Sequence, residues 1–105
     1  MAADPLGPVF AALADPTRRR VVETVLAEGS VTVPRLTDEL PMSRQAVAKH
    51  VDALAQAGVL AREGKGRRLS YRLDPDALRG ASAWLQHVER EWDTRLARLK
   101  RSVER

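Results

Sequence analysis

Cysteine is missing from this 105-residue chain, which removes disulfides, thiolate metal sites, zinc fingers and cysteine nucleophiles together. A reducing, cytoplasmic setting is the expectation. No segment approaches the ~20 apolar residues of a membrane span. The opening stretch Met-Ala-Ala-Asp-Pro-Leu-Gly-Pro8 holds neither a basic leader nor an apolar run of signal-peptide length. There is no internal repeat and no low-complexity linker, and the length suits one domain with one core. Nucleophile-base pairs, glycine-rich phosphate loops and metal-ligand clusters are equally missing, so no catalytic residue, cofactor or metal is expected and the chain does not read as an enzyme.

Charge is present on both sides. Lys and Arg number 18 against 14 Asp and Glu, a net of +4, so the placement of the positive groups says more than their sum. They gather at Arg18-Arg19-Arg20 and between Arg62 and Arg72.

Local patterns predict the elements around those blocks. A short apolar helix covers Val9 to Leu13. Asp15-Pro16 then supplies a side-chain cap and a proline at the first helical position for a second helix, Thr17 to Glu28. Val21, Val22, Val25 and Leu26 recur there at helical spacing as core positions, and Gly29 ends it. A third helix runs from Pro34 to Leu40 and stops at Pro41. Ser43 caps a fourth that continues to about Ala57, with Gly58 as its terminator. From Val59 the period changes: Leu69, Tyr71 and Leu73 alternate with Arg68, Ser70 and Arg72, as in a strand with one dry and one wet face. Val59 to Glu63 can pair with it across the glycine-rich turn Gly64-Lys-Gly-Arg. Asp74-Pro75 caps a long last helix. The fold class is mainly α with a small β-hairpin, a winged helix-turn-helix, with a DNA-binding core over 9–73 and a dimerisation helix over 75–103.

Wound at roughly 100° per residue, the fourth helix puts Val47, Val51 and Leu54 in one seam and Gln45, Lys49, Asp52 and Gln56 near the opposite pole. Such a pole fits the major groove, where glutamine can bond adenine at two points and lysine can bond guanine. Gln45 and Lys49 are the leading base readers, and Ala48 is counted with the same surface. Ser43 and Arg44, beside the open amides of the first turn, take a phosphate or base role. An isolated amphipathic helix shows polar residues outward for no such purpose, but this one follows a helix and a tight turn and precedes a wing. His50 lies on the shoulder of the helix with no second histidine or cysteine near it in sequence, so phosphate contact or packing is expected there and catalysis is not. In the wing, Arg62, Lys65, Arg67, Arg68 and Arg72 face the single acid Glu63. Lys65, Arg67 and Arg68 at the tip suit phosphate or minor-groove contact, although charges on a hairpin can also merely protect an edge strand.

Along the last helix Leu78, Leu85, Val88, Trp92, Leu96, Leu99 and Val103 lie within about 80° of arc. One small domain cannot cover a stripe ~40 Å long, and its spacings of three and four suit pairing with a second copy of the chain. Leu78, Leu85, Val88, Trp92, Leu96 and Leu99 form the candidate dimer interface. Trp84 and Trp92 could instead line a ligand pocket or lie in a membrane interface, but Glu91, Asp93 and Glu104 interrupt the basic face that a membrane surface favours.

Leu13-Ala-Asp-Pro-Thr-Arg-Arg19, Met42-Ser-Arg-Gln-Ala-Val-Ala-Lys-His-Val-Asp-Ala-Leu54 and Ala57-Gly-Val-Leu60, in this order, resemble the ArsR/SmtB family of bacterial winged-helix repressors. The likeness spans roughly residues 9 to 75. It implies a homodimer that binds an inverted-repeat operator in double-stranded DNA and represses transcription, with an effector, if any, unidentified. The family's metal sensors carry cysteines on the third helix, where this chain reads Ser30-Val-Thr-Val-Pro-Arg-Leu36. Their second site, on the last helix, would find only His87 among Glu89, Glu91 and Asp93. A regulator outside the cysteine-dependent metal sensors is therefore expected. A winged helix reused for protein contact, without specific DNA binding, is the competing reading.

Overall fold

The computed structural model describes residues 4–104; the first three residues of the opening stretch considered above lie outside this range. The described residues form α1 (Leu6–Leu13), α2 (Pro16–Glu28), α3 (Val33–Glu39), α4 (Arg44–Gln56), β1 (Leu60–Glu63), β2 (Ser70–Leu73) and α5 (Pro75–Val103).

The caps are those that the side chains dictate. Asp15 Oδ1 accepts from the amides of Thr17 and Arg18 at 2.7 and 3.2 Å. These two bonds start α2, and Pro16 at its first position loses nothing by lacking an amide hydrogen. The Arg18 amide above all, then that of Thr17 and the nearby His50 and Arg18 charges, hold the Asp15 carboxyl below its usual value of 3.8. A carboxyl depressed in the fold contributes stability above that value and loses it as the pH falls through the depressed one. Thr32 Oγ1 accepts from the Arg35 amide at 3.2 Å and opens α3 one residue before Pro34. Ser43 Oγ does the same for the Ala46 amide at 3.1 Å, opening α4. At the far end of α4, Gly58 adopts φ +84°. Its amide bonds Ala55 O at 3.1 Å and the Val59 amide bonds Leu54 O at 3.0 Å, which turns the chain sharply into the hairpin.

Two starts differ from expectation. Helix α1 begins three residues earlier than the apolar run suggested, because Asp4 Oδ1 accepts the Leu6 amide at 3.0 Å and Pro8 falls in the first turn, where no amide donor is required. The hairpin is shorter: Arg68 and Leu69 belong to its connection and not to β2. Gly66–Arg68 make one 3-10 turn, and Gly64 at φ +80° passes so close to the Arg68 carbonyl that a Cβ would stand 2.4 Å from its oxygen.

Val21, Val25, Leu36, Val47, Val51, Leu54 and Val59 are the fully enclosed centre, each contributing roughly 1.5–3 kcal/mol of transfer free energy. They come from α2, α3, α4 and the chain just before β1, so the helix-turn-helix and the base of the wing share one core. Leu26 does not join it. Helical spacing placed it with Val22, but the enclosed face of α2 is that of Val21 and Val25, and Leu26 is 71% exposed.

Strands β1 and β2 pair antiparallel, Leu60 with Leu73 through Glu63 with Ser70. A third backbone segment joins them: Val31, just before α3, exchanges both hydrogen bonds with Tyr71 at 3.0 and 2.8 Å. The wing is thereby bonded at its root to the helix-turn-helix. The first turns of α5 return to the core through Ala77, Leu78 and Ala81, and Trp84 meets Phe10 of α1 edge to face at 5.8 Å. Beyond that point α5 leaves the body, and the molecule measures 67 × 34 × 22 Å.

Leu54→Ala is expected to lower unfolding free energy by about 2–5 kcal/mol in a denaturant titration, whereas Leu26→Ala should change it by less than about 0.5 kcal/mol. Equal losses would contradict this division of α2 and α4 into core and surface.

Candidate nucleic-acid interface

The seam of Val47, Val51 and Leu54 is fully buried, so the geometry of α4 turns Gln45, Ala48 and Lys49 to solvent, and all are exposed. Ser43 and Arg44 are exposed at the N-terminal end of the same helix. The Ser43 oxygen is engaged by the Ala46 amide, which leaves its hydroxyl hydrogen free to donate.

The wing joins this surface on one flank. Arg44 of α4 and Arg67 of the wing tip line a single cleft of about 330 Å³ together with Val33, Pro34, Leu69 and Tyr71. A cleft that brings two arginines beside apolar lining residues suits a sugar-phosphate backbone. Lys65 and Arg68 are exposed beside it. Among the described residues Arg44, Lys49, Lys65, Arg67 and Arg68 form no ion pair and make no side-chain hydrogen bond, so their charge is available to an external anion.

Several other arginines are engaged within the molecule. Arg62, counted with the wing charges from sequence, pairs with Asp52 of α4. Its guanidinium is held above its ordinary value first by the Tyr71 phenolic oxygen and then by the Asp52 carboxylate. Gln56 Nε2 donates to the other Asp52 oxygen at 2.8 Å. Asp52 and Gln56 on the polar pole therefore brace α4 against β1. Arg72 pairs with Glu63 across the hairpin. Arg19 Nη1 donates to the carbonyls of Leu13 and Ala14 at 2.7 and 3.0 Å, satisfying the end of α1. Arg35 bridges Glu28 and Glu39 at 2.8 and 2.9 Å, which raises its value, through Glu39 first and Glu28 next. His50 is half-buried and accepts at Nδ1 from Arg18 Nε at 3.3 Å.

Sequence reasoning missed Arg18, Asp52, Tyr71 and Val31 as parts of this architecture. Tyr71 was legible as the dry residue of a strand. Its bond to Val31 and the Arg18 bond to His50 join segments that no periodicity connects. Among the described residues no three His, Asp or Glu side chains gather in a group that could hold a metal ion, and no helix is long and apolar enough to cross a membrane.

A capped helix-turn-helix whose second helix shows an uncovered polar pole, flanked by a cationic hairpin, defines a winged helix-turn-helix DNA-binding fold. A helix-turn-helix domain model matches residues 13–63. The HTH-type transcriptional regulator Rv2034 of Mycobacterium tuberculosis is 41% identical over 81 residues, covering 77% of this chain and 72% of the relative. An ArsR-like transcriptional regulator from Rhodococcus sp. RHA1 has a similar structure, with a TM-score of 0.79, 38% identity, and coverage of 92% of this chain and 91% of that one. The homodimeric winged helix-turn-helix DNA-binding domain Mb0332 from Mycobacterium bovis matches with a TM-score of 0.63 and 25% identity, over 87% of this chain and 92% of its own. The chain belongs to the ArsR family of winged helix-turn-helix transcriptional regulators.

Replacing Arg44 or Arg67 by Ala is expected to weaken binding to every duplex by a similar factor and to reduce the log-log salt slope by about one per contact. Replacing Gln45 or Lys49 should instead erode discrimination between sequences by ~1–3 kcal/mol per lost base contact. Fluorescence anisotropy at several salt concentrations separates the two behaviours, and identical profiles for all four variants would refute the assignment.

Proposed function

We propose that the chain is a homodimeric transcriptional repressor of an inverted-repeat operator, in which α4 of each subunit reads base edges and the wing holds the flanking backbone. What carries this reading is the coexistence of two uncovered surfaces: the unpaired cations along α4 and the wing tip, and an apolar stripe on α5. In that stripe Trp92 is 57% exposed and Leu99 61% exposed. Leu85, Val88 and Leu96 continue it, and an apolar face of this length calls for a partner. Leu78, counted with the stripe from sequence, is half-buried against the chain's own core and marks where the dimer surface begins. A second copy supplies a stripe of the same period, and the homodimeric relative supports that choice. Paired on α5, two recognition helices enter successive major grooves about 34 Å apart. In such a dimer Gln45 and Lys49 read bases with Ala48 beside them, while Ser43, Arg44, Lys65, Arg67 and Arg68 hold phosphates. A protein spanning both half-sites excludes polymerase from a promoter that overlaps them.

Metal is not the signal in this reading. The stretch matching the cysteine-bearing segment of the family's metal sensors reads Ser30-Val-Thr-Val-Pro-Arg-Leu36 and offers no thiolate. Calorimetry with zinc should give no stoichiometric binding that releases DNA. A saturable heat accompanied by loss of the DNA complex would overturn this part of the proposal.

Titration against the DNA immediately upstream of the gene, beside scrambled duplex, tests the whole. With about four phosphates neutralised per subunit, affinity for the operator should fall with a log-log salt slope near −7. Leu96→Glu should give a monomer by sedimentation and abolish tight operator binding. Binding indifferent to sequence and salt, or a pull-down partner retained after Gln45 and Lys49 are replaced, would favour a protein-contact role instead.

A further inference from the structure

His50 stands next to Lys49 on α4, yet its ring does not face the same way. Arg18, 32 positions earlier on the first turn of α2, donates from Nε to His50 Nδ1 at 3.3 Å. The residue that sends this bond is itself fixed, because its amide is held by Asp15 Oδ1 at 3.2 Å. The Arg18 side chain also lines the cleft where Pro8 and Ala12 of α1 face Ala53 and Gln56 of α4. Both partners are half-buried.

Two properties of this bond go beyond packing. An arginine Nε–H points in one direction within the guanidinium plane, and an imidazole Nδ1 accepts only within its own ring plane. The buried seam of Val47, Val51 and Leu54 fixes which face of α4 is covered, and within that limit the bond restrains the remaining roll of the helix against α2. Rotating a helix by about 20° moves the tip of a long side chain by roughly 2 Å, on a radius of about 7 Å from the axis. That exceeds the range over which a two-point bond to a base edge survives. Through α1, moreover, the Arg18 end is joined to the part of the molecule that carries α5, since Phe10 packs on Trp84 at 5.8 Å. The bond itself joins α2 to α4, and α1, which lines the same cleft as Arg18, also carries the Phe10 contact to α5.

We propose that His50 is a positioning residue for operator recognition: through Arg18 it holds α4 at a fixed roll relative to α1, α2 and the dimer helix, and it is not itself a phosphate ligand. The inference rests on the operator-binding reading above and adds to it how the base readers are aimed. Non-specific binding, which needs only the cations of α4 and the wing, does not depend on this roll.

The test measures affinity for operator and for scrambled duplex across salt concentrations, for the wild type and for His50→Ala, His50→Asn, His50→Gln, Arg18→Ala and the Arg18→Ala/His50→Ala double variant. Asparagine can place an acceptor where Nδ1 lies, whereas glutamine reaches towards the Nε2 position. His50→Ala is expected to lose about tenfold in operator affinity, with scrambled-duplex affinity and both salt slopes unchanged. His50→Asn should recover to within about threefold and His50→Gln should not, and the double variant should bind no more weakly than Arg18→Ala alone. If circular dichroism finds His50→Ala unfolded, the Asn and Gln variants decide by the same contrast. A salt slope lowered by about one with both duplexes equally weakened would identify a direct phosphate contact and overturn the proposal. Unchanged discrimination in the variants would also overturn it. Failure of the underlying function shows differently, as a wild type that does not discriminate operator from scrambled DNA.

Discussion

Burial of one seam of α4 is the constraint on which everything else hangs. Val47, Val51 and Leu54 enter the core against Val21, Val25 and Leu36, and a helix with 3.6 residues per turn then has no freedom over which residues face out. The polar pole is uncovered because its opposite is covered. The caps at Ser43 and Gly58 set where that helix begins and ends, and so decide that Arg44 sits at the open N-terminus beside the wing.

Around that seam the molecule sorts its charges. Arginines at Arg19, Arg35, Arg62 and Arg72 satisfy helix ends or pair with acids on neighbouring elements. Individually such exposed pairs add little stability; their effect is geometric, because each engaged cation is withdrawn from the surface potential. Arg44, Lys49, Lys65, Arg67 and Arg68, on α4 and the wing, take part in no such pair among the described residues, and a second unpaired group, Arg90, Arg95, Arg98, Lys100 and Arg101, lies along the far part of α5. A net charge of +4 is thereby distributed unevenly, with local positive patches despite its small size. Asp52, an acid on the exposed side of α4, is compatible with that surface because Arg62 neutralises it.

The α5 helix divides at about Trp84. Before it, Ala77, Leu78 and Ala81 complete the subunit core; after it, the same apolar period continues with nothing to cover it. One helix thus carries a covered and an uncovered length of a single stripe, and α1 packs against both the first part of α5 and α4.

By itself the sequence determined the element order, the caps of α2, α4 and α5, the core seam of α4, the presence of the wing and its cationic tip. These depend on neighbours three or four positions apart in a helix, or two apart in a strand, and on residue types with strong backbone preferences, so they are written locally. Family membership was legible for the same reason, in motifs that follow one another along the chain. Only the tertiary structure decided that Arg62 and Arg72 are internally paired and the tip cations are not. It likewise placed Leu26 outside the core, bonded Val31 to Tyr71 at the root of the wing, and gave His50 to Arg18. Each of those outcomes turns on which distant surfaces meet, and a hydrogen bond or ion pair between segments 10, 32 or 40 residues apart leaves no period in the chain by which to find it.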